Sequence, residues 1–522
     1  MTESQIPESV IIVGAGSAGS VIARRLSDAG VTVTVLEAGD DDTNPDIHDP
    51  MGMPALWHSA QDWDYRTIPQ PHAADRRLHL PRGKVLGGSH ALNAMIWVRG
   101  HPRDFDDWAA DGNDGWSWSD VLPVYREIER FHGDGDPEFH GTDGLLDVVN
   151  GYPLDPIQQS IIDASVESGV AFNPDYNGAT LDGVSQQQVT MRGPRRWNTY
   201  MAYLKPVRDR VTVETGCWVH EMIFDDASES DRPRVVGVRY EQAGEVRELR
   251  ADEVILCAGA LDSPRIMLRS GLGPADELAA IGIPPVADLP GVGKELHDHL
   301  LVPIVFRTGR PVGAPRSGVS VTQSHLFWKS RPELDRPDTQ PIFFSVPMYY
   351  EDLEPQSPDG FSLLAGIVTP RSRGSVTLSG PGPHDPTIID LDALHHEDDV
   401  ASMLASIKQC RDIGTQASLH ADPDAGGWGA EEVYPGPEVV TDEQLVRYAR
   451  EQVVVYHHQV STCRMGIDDT AVVSPRLTVH GVDGLRVADA SIMPKVPTGN
   501  TNAPSVLIGE MAARFVLSGA RR

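Results

Sequence analysis

Val10-Ile11-Ile12-Val13-Gly14-Ala15-Gly16-Ser17-Ala18-Gly19 is the first stretch of the chain with a regular pattern. Four β-branched residues in a row read as a buried strand and the glycines as a turn. The apolar pattern that continues to Ala29 reads as a helix, and Gly30 stops it. Residues 31–36 give a second strand, closed by Glu37 23 positions after Gly14. Strand, glycine-rich turn, helix and strand in this order suit a dinucleotide. Gly14 permits the tight turn, Gly16 lets the backbone approach a pyrophosphate, and Gly19 lets helix and strand pack closely. The helix start at Ser17 and Ala18 supplies amide donors and the positive dipole end, and Glu37 can accept hydrogen bonds from a ribose. The pattern alone does not separate FAD from NAD.

Working outward, Val254-Ile255-Leu256-Cys257 is another buried-strand candidate and ends in Ala258-Gly259-Ala260. Asp262 or Ser263 is expected to cap the helix that follows, with Pro264 in its first turn and Gly271 at its end. A further short strand at 485–487 leads to Asp489. These pieces are expected to form one dinucleotide-binding sheet assembled from distant parts of the chain. Between them, 302–388 carries apolar runs at 341–346 and 362–368, interrupted by the Pro- and Asp-rich segments 331–340 and 351–360. That predicts a strand-rich second domain with surface loops. Thr441 with Gln444 predicts a capping box for a helix running to about Glu451. After Asn502, Pro504 suits a first turn, and Val506, Leu507, Met511 and Phe515 fall at helical spacing.

Length and charge restrict what such a chain can be. At 522 residues it accommodates two to four domains, or one large cofactor domain with insertions. A net charge of −31 repels phosphate backbones and anionic membrane surfaces, so no nucleic-acid partner is expected. No apolar run approaches the roughly 20 residues that span a bilayer, and no membrane insertion is expected. The polar start, 1–8, lacks the pattern of a secretory signal, which makes cytoplasmic the default expectation. Cys217, Cys257, Cys410 and Cys463 are far apart with no C-x-x-C, so four buried thiols are expected rather than a disulfide framework or a zinc site. His297-Asp298-His299 would put two histidines on one face of a strand with no third ligand nearby, and no metal is expected there. Trp116 and Trp118 read as packing.

Five further blocks carry a resemblance. Gly83-Lys84-Val85-Leu86-Gly87-Gly88-Ser89-His90-Ala91-Leu92-Asn93 follows the nucleotide turn, and a long second block runs from Gly259-Ala260-Leu261-Asp262-Ser263-Pro264 to Gly271-Leu272-Gly273. Near the C-terminus come Tyr456-His457-His458-Gln459 through Arg464-Met465-Gly466, then Leu485-Arg486-Val487-Ala488-Asp489-Ala490, then Pro497-Thr498-Gly499-Asn500-Thr501-Asn502. With these the chain resembles the glucose-methanol-choline (GMC) oxidoreductase family over essentially its whole length. It departs at His90, where a small residue is usual.

The resemblance implies an α/β fold, α+β overall. A Rossmann-like FAD-binding domain is assembled from 6–45, 80–150, 205–300 and 475–522. A substrate domain, 46–79, 151–204 and 301–474, has an antiparallel sheet backed by helices. It implies FAD, held by Gly14, Gly16, Ser17, Ala18, Gly19, Glu37, Ala38, Arg82, Gly87, Gly88, Ser89, Asn93, Ala94, Met95, Val219, Ala258, Gly259, Asp489, Ala490, Asn502 and Ala503. The histidine eight residues before the glycine of Arg464-Met465-Gly466, His458, is implied as catalytic, with Asn500 as its partner. His457 and Leu301 are implied on the substrate side. The position that carries covalent flavin in choline oxidases falls on Leu92, so FAD is expected to be non-covalent, with His90 as the alternative attachment point.

Alcohol oxidation removes a hydroxyl proton and a hydride from one carbon. An imidazole suits the first task, so His458 is the candidate base. Asn500 can hydrogen-bond the same oxygen, and the hydride goes to flavin N5. If the C-terminal helix points its start at the flavin, its dipole favours the anionic reduced form. Choline oxidases have a glutamate two residues beyond the Asp-His pair, where Leu301 stands here after Leu300, and this weighs against choline. Asn500-Thr501-Asn502 is closer to oxidases of aryl, furanic and pyridoxine-type alcohols. A neutral primary alcohol is therefore expected as substrate, with O2 or another acceptor. Sugar or choline-type alcohols, a hydroxynitrile lyase with non-redox FAD and a nicotinamide-dependent dehydrogenase are the other readings.

Overall fold

The computed structural model describes residues 6–225, 232–350 and 353–519. The first residues of the polar start and part of the 351–360 segment lie outside the described residues. Strand Ser9–Val13, helix Ser17–Asp28 and strand Thr32–Leu36 form as their pattern predicts. Ala29 caps the helix, and Gly30, at φ +84°, makes the left-handed exit that only glycine adopts without strain. The sheet is five-stranded and wholly parallel, in the order 212–214, 32–36, 9–13, 253–256, 485–487. Strand Ser9–Val13 therefore lies between one neighbour close in sequence and one about half the chain away. The turn at its C-terminal end sits at the point where the strand order reverses, which is where doubly wound sheets bind ligands.

Close backbone approach holds this corner together. A Cβ on Gly14, itself at φ +102°, would lie 2.5 Å from the Cys257 carbonyl oxygen, and one on Gly19 would lie 2.0 Å from the Gly14 carbonyl oxygen. A Cβ on Gly88 would lie 2.8 Å from Gly16 Cα, so two glycine turns touch through bare backbone.

The second sheet-to-helix crossover differs from its sequence reading. Helix Gly259–Arg269 begins at Gly259, with Ala258 as N-cap, so Asp262 and Ser263 do not cap it and Pro264 lies inside it. Gly259 at φ +88° turns the chain off the strand at once. Ser263 donates its hydroxyl to Asp489 at 2.6 Å, and Asp262 accepts from Arg265 Nε at 2.6 Å and from the Tyr65 hydroxyl at 2.8 Å. Proline within a helix deprives the carbonyl four residues back of its donor. Here that carbonyl, Ala260 O, accepts from the Thr462 hydroxyl at 2.6 Å, which explains why Pro264 is tolerated.

The other large sheet is antiparallel, with 431–434, 300–307, 360–367, 342–344, 322–327 and 183–186 in that order and 454–455 also paired to 300–307. Alternation assigns its faces. Val302, Ile304, Phe306, Phe343, Leu363 and Ala365 pack against Ile161 of helix Pro156–Glu167 and Met403 and Ile407 of helix Glu397–Gly414. At roughly 1.5–3 kcal/mol per fully buried large side chain, this face anchors the layer. Leu301, Ile342, Phe344 and Leu364 point the other way and cluster with Met53, Ile96 and Tyr456. The capping box of Thr441 and Gln444 forms on helix Asp442–Gln452. In 331–340, read as a surface loop, Asp338, Thr339 and Gln340 are instead buried, because Thr339 and Gln340 pair with Trp328 and with Ile367 and Gly366 in line with strand 342–344, and Asp338 accepts from the Ser330 and Ser402 hydroxyls at 2.6 and 2.7 Å. All four cysteines are buried and free. Trp116 is buried against Trp108 and Phe515. No helix among the described residues is long and apolar enough to cross a membrane.

The Gly14–Gly19 contact yields a test. Gly19→Ala should give protein that retains little flavin after desalting, read as flavin absorbance per protein. Gly30→Ala, whose Cβ meets nothing within 4 Å, should cost only about 1–2 kcal/mol of αL strain and keep its flavin. Equal flavin content in the two variants would contradict the packing argument.

Candidate active site

One elongated cleft of about 1780 Å³, its open mouth included, runs between the two sheets. Its lining runs from the glycine turn after the first strand to His458 and Asn500. Three helix N-termini open into it: Ser17 and Ala18 line it at the first, Gly259 and Ala260 at the second, Asn502 and Ser505 at the third. Their converging amide ends make the cleft floor a site for anionic groups. Asn502 Nδ2 donates to the Ser17 hydroxyl at 3.0 Å and ties two of these ends together. Glu37 lines the same wall. Its oxygens accept from the Ala15 and Gly39 amides at 2.8 and 2.9 Å, and burial pushes its carboxyl up to about 7. Asp489 accepts from the Gly259 amide at 2.9 Å, and burial raises its pKa.

Most residues expected around the cofactor line this cleft: Gly14, Gly16, Ser17, Ala18, Glu37, Ala38, Arg82, Gly88, Ser89, Asn93, Ala94, Val219, Ala258, Gly259, Asp489, Ala490 and Asn502. Gly19, Gly87, Met95 and Ala503 do not. Gly19 is packed onto the Gly14 carbonyl and Gly87 onto the Asn198 side chain. Met95 is buried with Val189 and Met191, and Ala503 faces the core of the parallel-sheet layer. Each of these four shapes the wall from behind. His90 does not line the cleft either: its Nε2 donates to the Thr190 hydroxyl at 3.0 Å while its Nδ1 accepts the Thr199 amide at 3.3 Å. Leu92 does line it.

At the far end, His457, His458, Asn500 and Leu301 come together. His458 is held from behind. Its amide donates to Asp298 Oδ1 at 2.7 Å, and its ring stacks on Tyr456 with centroids 4.6 Å apart. The regular strand begins only at Leu300, so 297–299 is not the strand its pattern suggested. His297 donates to the Glu295 carbonyl and accepts the Val496 amide, whereas His299 Nδ1 lies 3.0 Å from His458 Nδ1. Burial pushes Asp298 up to about 7 and His299 down to about 3. Burial also holds His458 well below the usual histidine range, helped by His299, His457 and Arg82.

Both rings are therefore neutral near pH 7, and the neighbours decide which nitrogen carries the proton. Gln340 Nε2 donates to Asn500 Oδ1 at 3.1 Å, which turns Asn500 Nδ2 toward His458 Nε2 at 3.2 Å. A donor there requires an unprotonated Nε2. The His458 proton is then on Nδ1, directed at His299 Nδ1. The result is a ring nitrogen with its lone pair and an amide N–H side by side at the cleft. Arg82 donates from Nη2 to the His457 carbonyl and fixes the loop in which His457 adopts φ +68°. Gln340, His299, Asp298, Trp57, Phe344 and Tyr456 were not singled out as site residues from sequence. The Asp298-His299 pair next to a long apolar strand was the one available signal.

A glycine-floored dinucleotide cleft that ends in a buried histidine and asparagine defines a cofactor-dependent oxidoreductase. The chain belongs to the GMC oxidoreductase family, whose N- and C-terminal parts match residues 9–301 and 370–509. It is 38% identical to an alcohol dehydrogenase [acceptor] of Pseudomonas putida, covering 97% of this chain and 95% of that protein. Identity is 36% to an oxygen-dependent choline dehydrogenase of Sinorhizobium fredii, with the same coverage. Among solved structures, pyridoxine 4-oxidase from Mesorbium loti superposes with a TM-score of 0.89 at 34% identity, covering 97% and 98% of the two chains. The cofactor is accordingly FAD, and the family's reaction is FAD-dependent alcohol oxidation. The glycine floor, the three helix ends and Glu37 fit its pyrophosphate and ribose.

Gln340 should matter to turnover. Gln340→Leu removes the donor that orients Asn500, and kcat should fall roughly tenfold, about 1.4 kcal/mol, with flavin content unchanged. Wild-type kcat in that variant would show that Asn500 needs no such hold.

Proposed function

We propose that the chain oxidises a neutral aromatic or heteroaromatic primary alcohol to its aldehyde, with His458 taking the hydroxyl proton. The observation that carries the substrate class is the lining of the far end of the cleft: Met53, Trp57, Ile96, Leu301, Ile342, Phe344, Tyr350 and Tyr456, without a carboxylate. The acidic residues of the cleft, Glu37, Asp262 and Asp489, are engaged with backbone amides, Arg265 or Ser263 at the dinucleotide end. A trimethylammonium group would meet no counter-charge there, and Arg82 is the nearby ion. Two buried polar atoms in this lining, Tyr456 Oη and His457 Nδ1, have no hydrogen-bond partner. The aromatic rings of Trp57, Phe344, Tyr350 and Tyr456 in this lining suit a flat ring-bearing alcohol better than a plain alkyl chain. The likeness to pyridoxine 4-oxidase supports the same reading.

His458 Nε2, which accepts from Asn500, exchanges that bond for the substrate hydroxyl and takes its proton as charge develops on the oxygen. Asn500 Nδ2–H, aimed by Gln340, donates to that oxygen and keeps the carbinol carbon in one orientation. FAD, when bound, accepts the hydride. The helix Asn502–Leu517 directs its positive end into the cleft and favours negative charge there. Because both nitrogens of His90 are engaged away from the cleft and Leu92 offers no nucleophile, the FAD is held without a covalent bond. O2 or another acceptor returns it to the oxidised state.

The test is anaerobic mixing of the flavoprotein with furanic, pyridoxine-type, benzylic, sugar and choline alcohols. The heteroaromatic alcohols should bleach the flavin. Bleaching by choline or sugars alone would overturn the substrate assignment, and no bleaching by any of them would favour a lyase. His458→Ala should lower kcat/KM by roughly 10²–10⁴ with flavin retained.

The pH profile gives a second check. The pKa of His458 is depressed, so its neutral, active form persists well below the ordinary histidine value of about 6.5. kcat/KM should be flat down through that value and fall only at lower pH. An acid limb centred near 6.5 would contradict a buried His458 as base.

A further inference from the structure

We propose that His58, Asp62, Asp64 and His79 form a binding site for one divalent cation of the zinc type at the rim of the cleft. One ligand atom from each of the four lies within 4.8 Å of all the others. His58 Nδ1 is 2.7 Å from Asp64 Oδ1, and His79 Nε2 is 3.0 Å from Asp64 Oδ1 and 3.3 Å from Asp62 Oδ2. A tetrahedral zinc with bonds of about 2.0–2.1 Å holds its ligand atoms roughly 3.3–3.4 Å apart, so small side-chain rotations close the cage. Two imidazoles with two carboxylates favour zinc and its neighbours. Calcium and magnesium prefer all-oxygen sets.

The surroundings are built for ligation. Asp62 Oδ1 accepts the amides of Asp64 and Arg82 at 3.0 and 2.9 Å, and Oδ2 accepts the His58 amide at 3.0 Å, so the carboxylate is aimed from three sides. The Asp62 side chain is fully buried, while His58 and Asp64 are about half exposed, which leaves an entry path. His79 Nε2 is buried, and two carboxylate oxygens, one from Asp64 and one from Asp62, face it. The alternative occupant is a pair of protons. However, the two imidazoles are stacked with centroids 4.0 Å apart and an interplanar angle of 24°, and two imidazolium rings there would repel each other. One shared cation satisfies all four groups.

The site has a place in the mechanics of the cleft. It would fasten 58–64 to strand His79–Leu80; Trp57 precedes this segment and Trp63 lies within it, and both line the cleft. Trp57 stands edge-on to His457 at 5.1 Å and to His79 at 6.3 Å. A bound cation therefore stiffens the wall against which the substrate lies.

The experiment uses tag-free FAD-loaded enzyme, stripped with a chelator, incubated with ZnCl2, desalted and assayed for zinc by mass spectrometry alongside thermal melting. Wild type should retain one zinc per chain and melt several degrees higher with it, as ligand linkage requires. His58→Asn, Asp64→Asn and His79→Gln should each abolish retention and the shift. His72→Gln, in a second cluster with Asp392 and His395, should leave both unchanged. Flavin content and zinc-free melting show that each variant is folded, and the exposed Asp64→Asn serves if a histidine variant is not. No retained zinc in the wild type, or zinc undiminished in the His58→Asn/His79→Gln double variant, would overturn the proposal.

Discussion

Bare backbone against bare backbone is the constraint on which the rest of the molecule depends. At Gly14, Gly19 and Gly88, chain segments approach more closely than any Cβ would permit. That approach brings the first strand's turn, the 83–88 turn and the end of strand Glu253–Leu256 into one corner. Three helix N-termini then open into the same cleft, and their positive ends favour an anionic occupant. The affinity of the fold for a dinucleotide is thus a consequence of packing density at three glycines, with Glu37 and Asp489 holding the surrounding amides in place.

The far end of the cleft is set up by the other layer. Gln340 and His299 come from the antiparallel sheet and its approach, whereas Asn500 comes from the segment that enters the last helix. Hydrogen bonds run in one direction, from Gln340 through Asn500 to His458, and from His458 to His299. Such a chain has one low-energy arrangement of protons, because each member already has its donor and acceptor roles assigned. Burial then keeps the histidines neutral. Geometry and electrostatics favour the same state of His458.

Much of the nucleotide half was legible in the chain because its determinants are local. A β-branched run, glycines at fixed spacing and a closing Glu37 act within one turn of structure. What could not be read depends on contacts between distant segments. Helix Gly259–Arg269 starts earlier than its polar residues suggested because the Thr462 hydroxyl, far along the chain, takes the carbonyl that Pro264 leaves without a donor. Gln340 sits at the end of a stretch rich in Pro and Asp that reads as a loop, and only the sheet that covers it makes it interior. Gly87, Met95 and Ala503 lie in or next to motif blocks, and packing that a motif does not encode, of Gly87 on Asn198 and of the Met95 and Ala503 side chains into the core, turns them to the back of the wall. His458 and Asn500 were placed through a family pattern. Taken singly, a His-His pair and a Thr-Gly-Asn-Thr-Asn turn carry little information.

The alternation of the antiparallel sheet has a consequence for how such enzymes diversify. On strands 300–307, 342–344 and 360–367, one set of residues anchors the helices and the interleaved set faces the cleft side of the sheet. The two duties fall on different residues of the same strands. Leu301, Ile342 and Phe344 can thus be exchanged in the course of evolution while Val302, Phe343 and Leu363 go on holding the layers together. A lineage built on this scaffold can explore new alcohols by small steps, each viable, without passing through an unfolded ancestor.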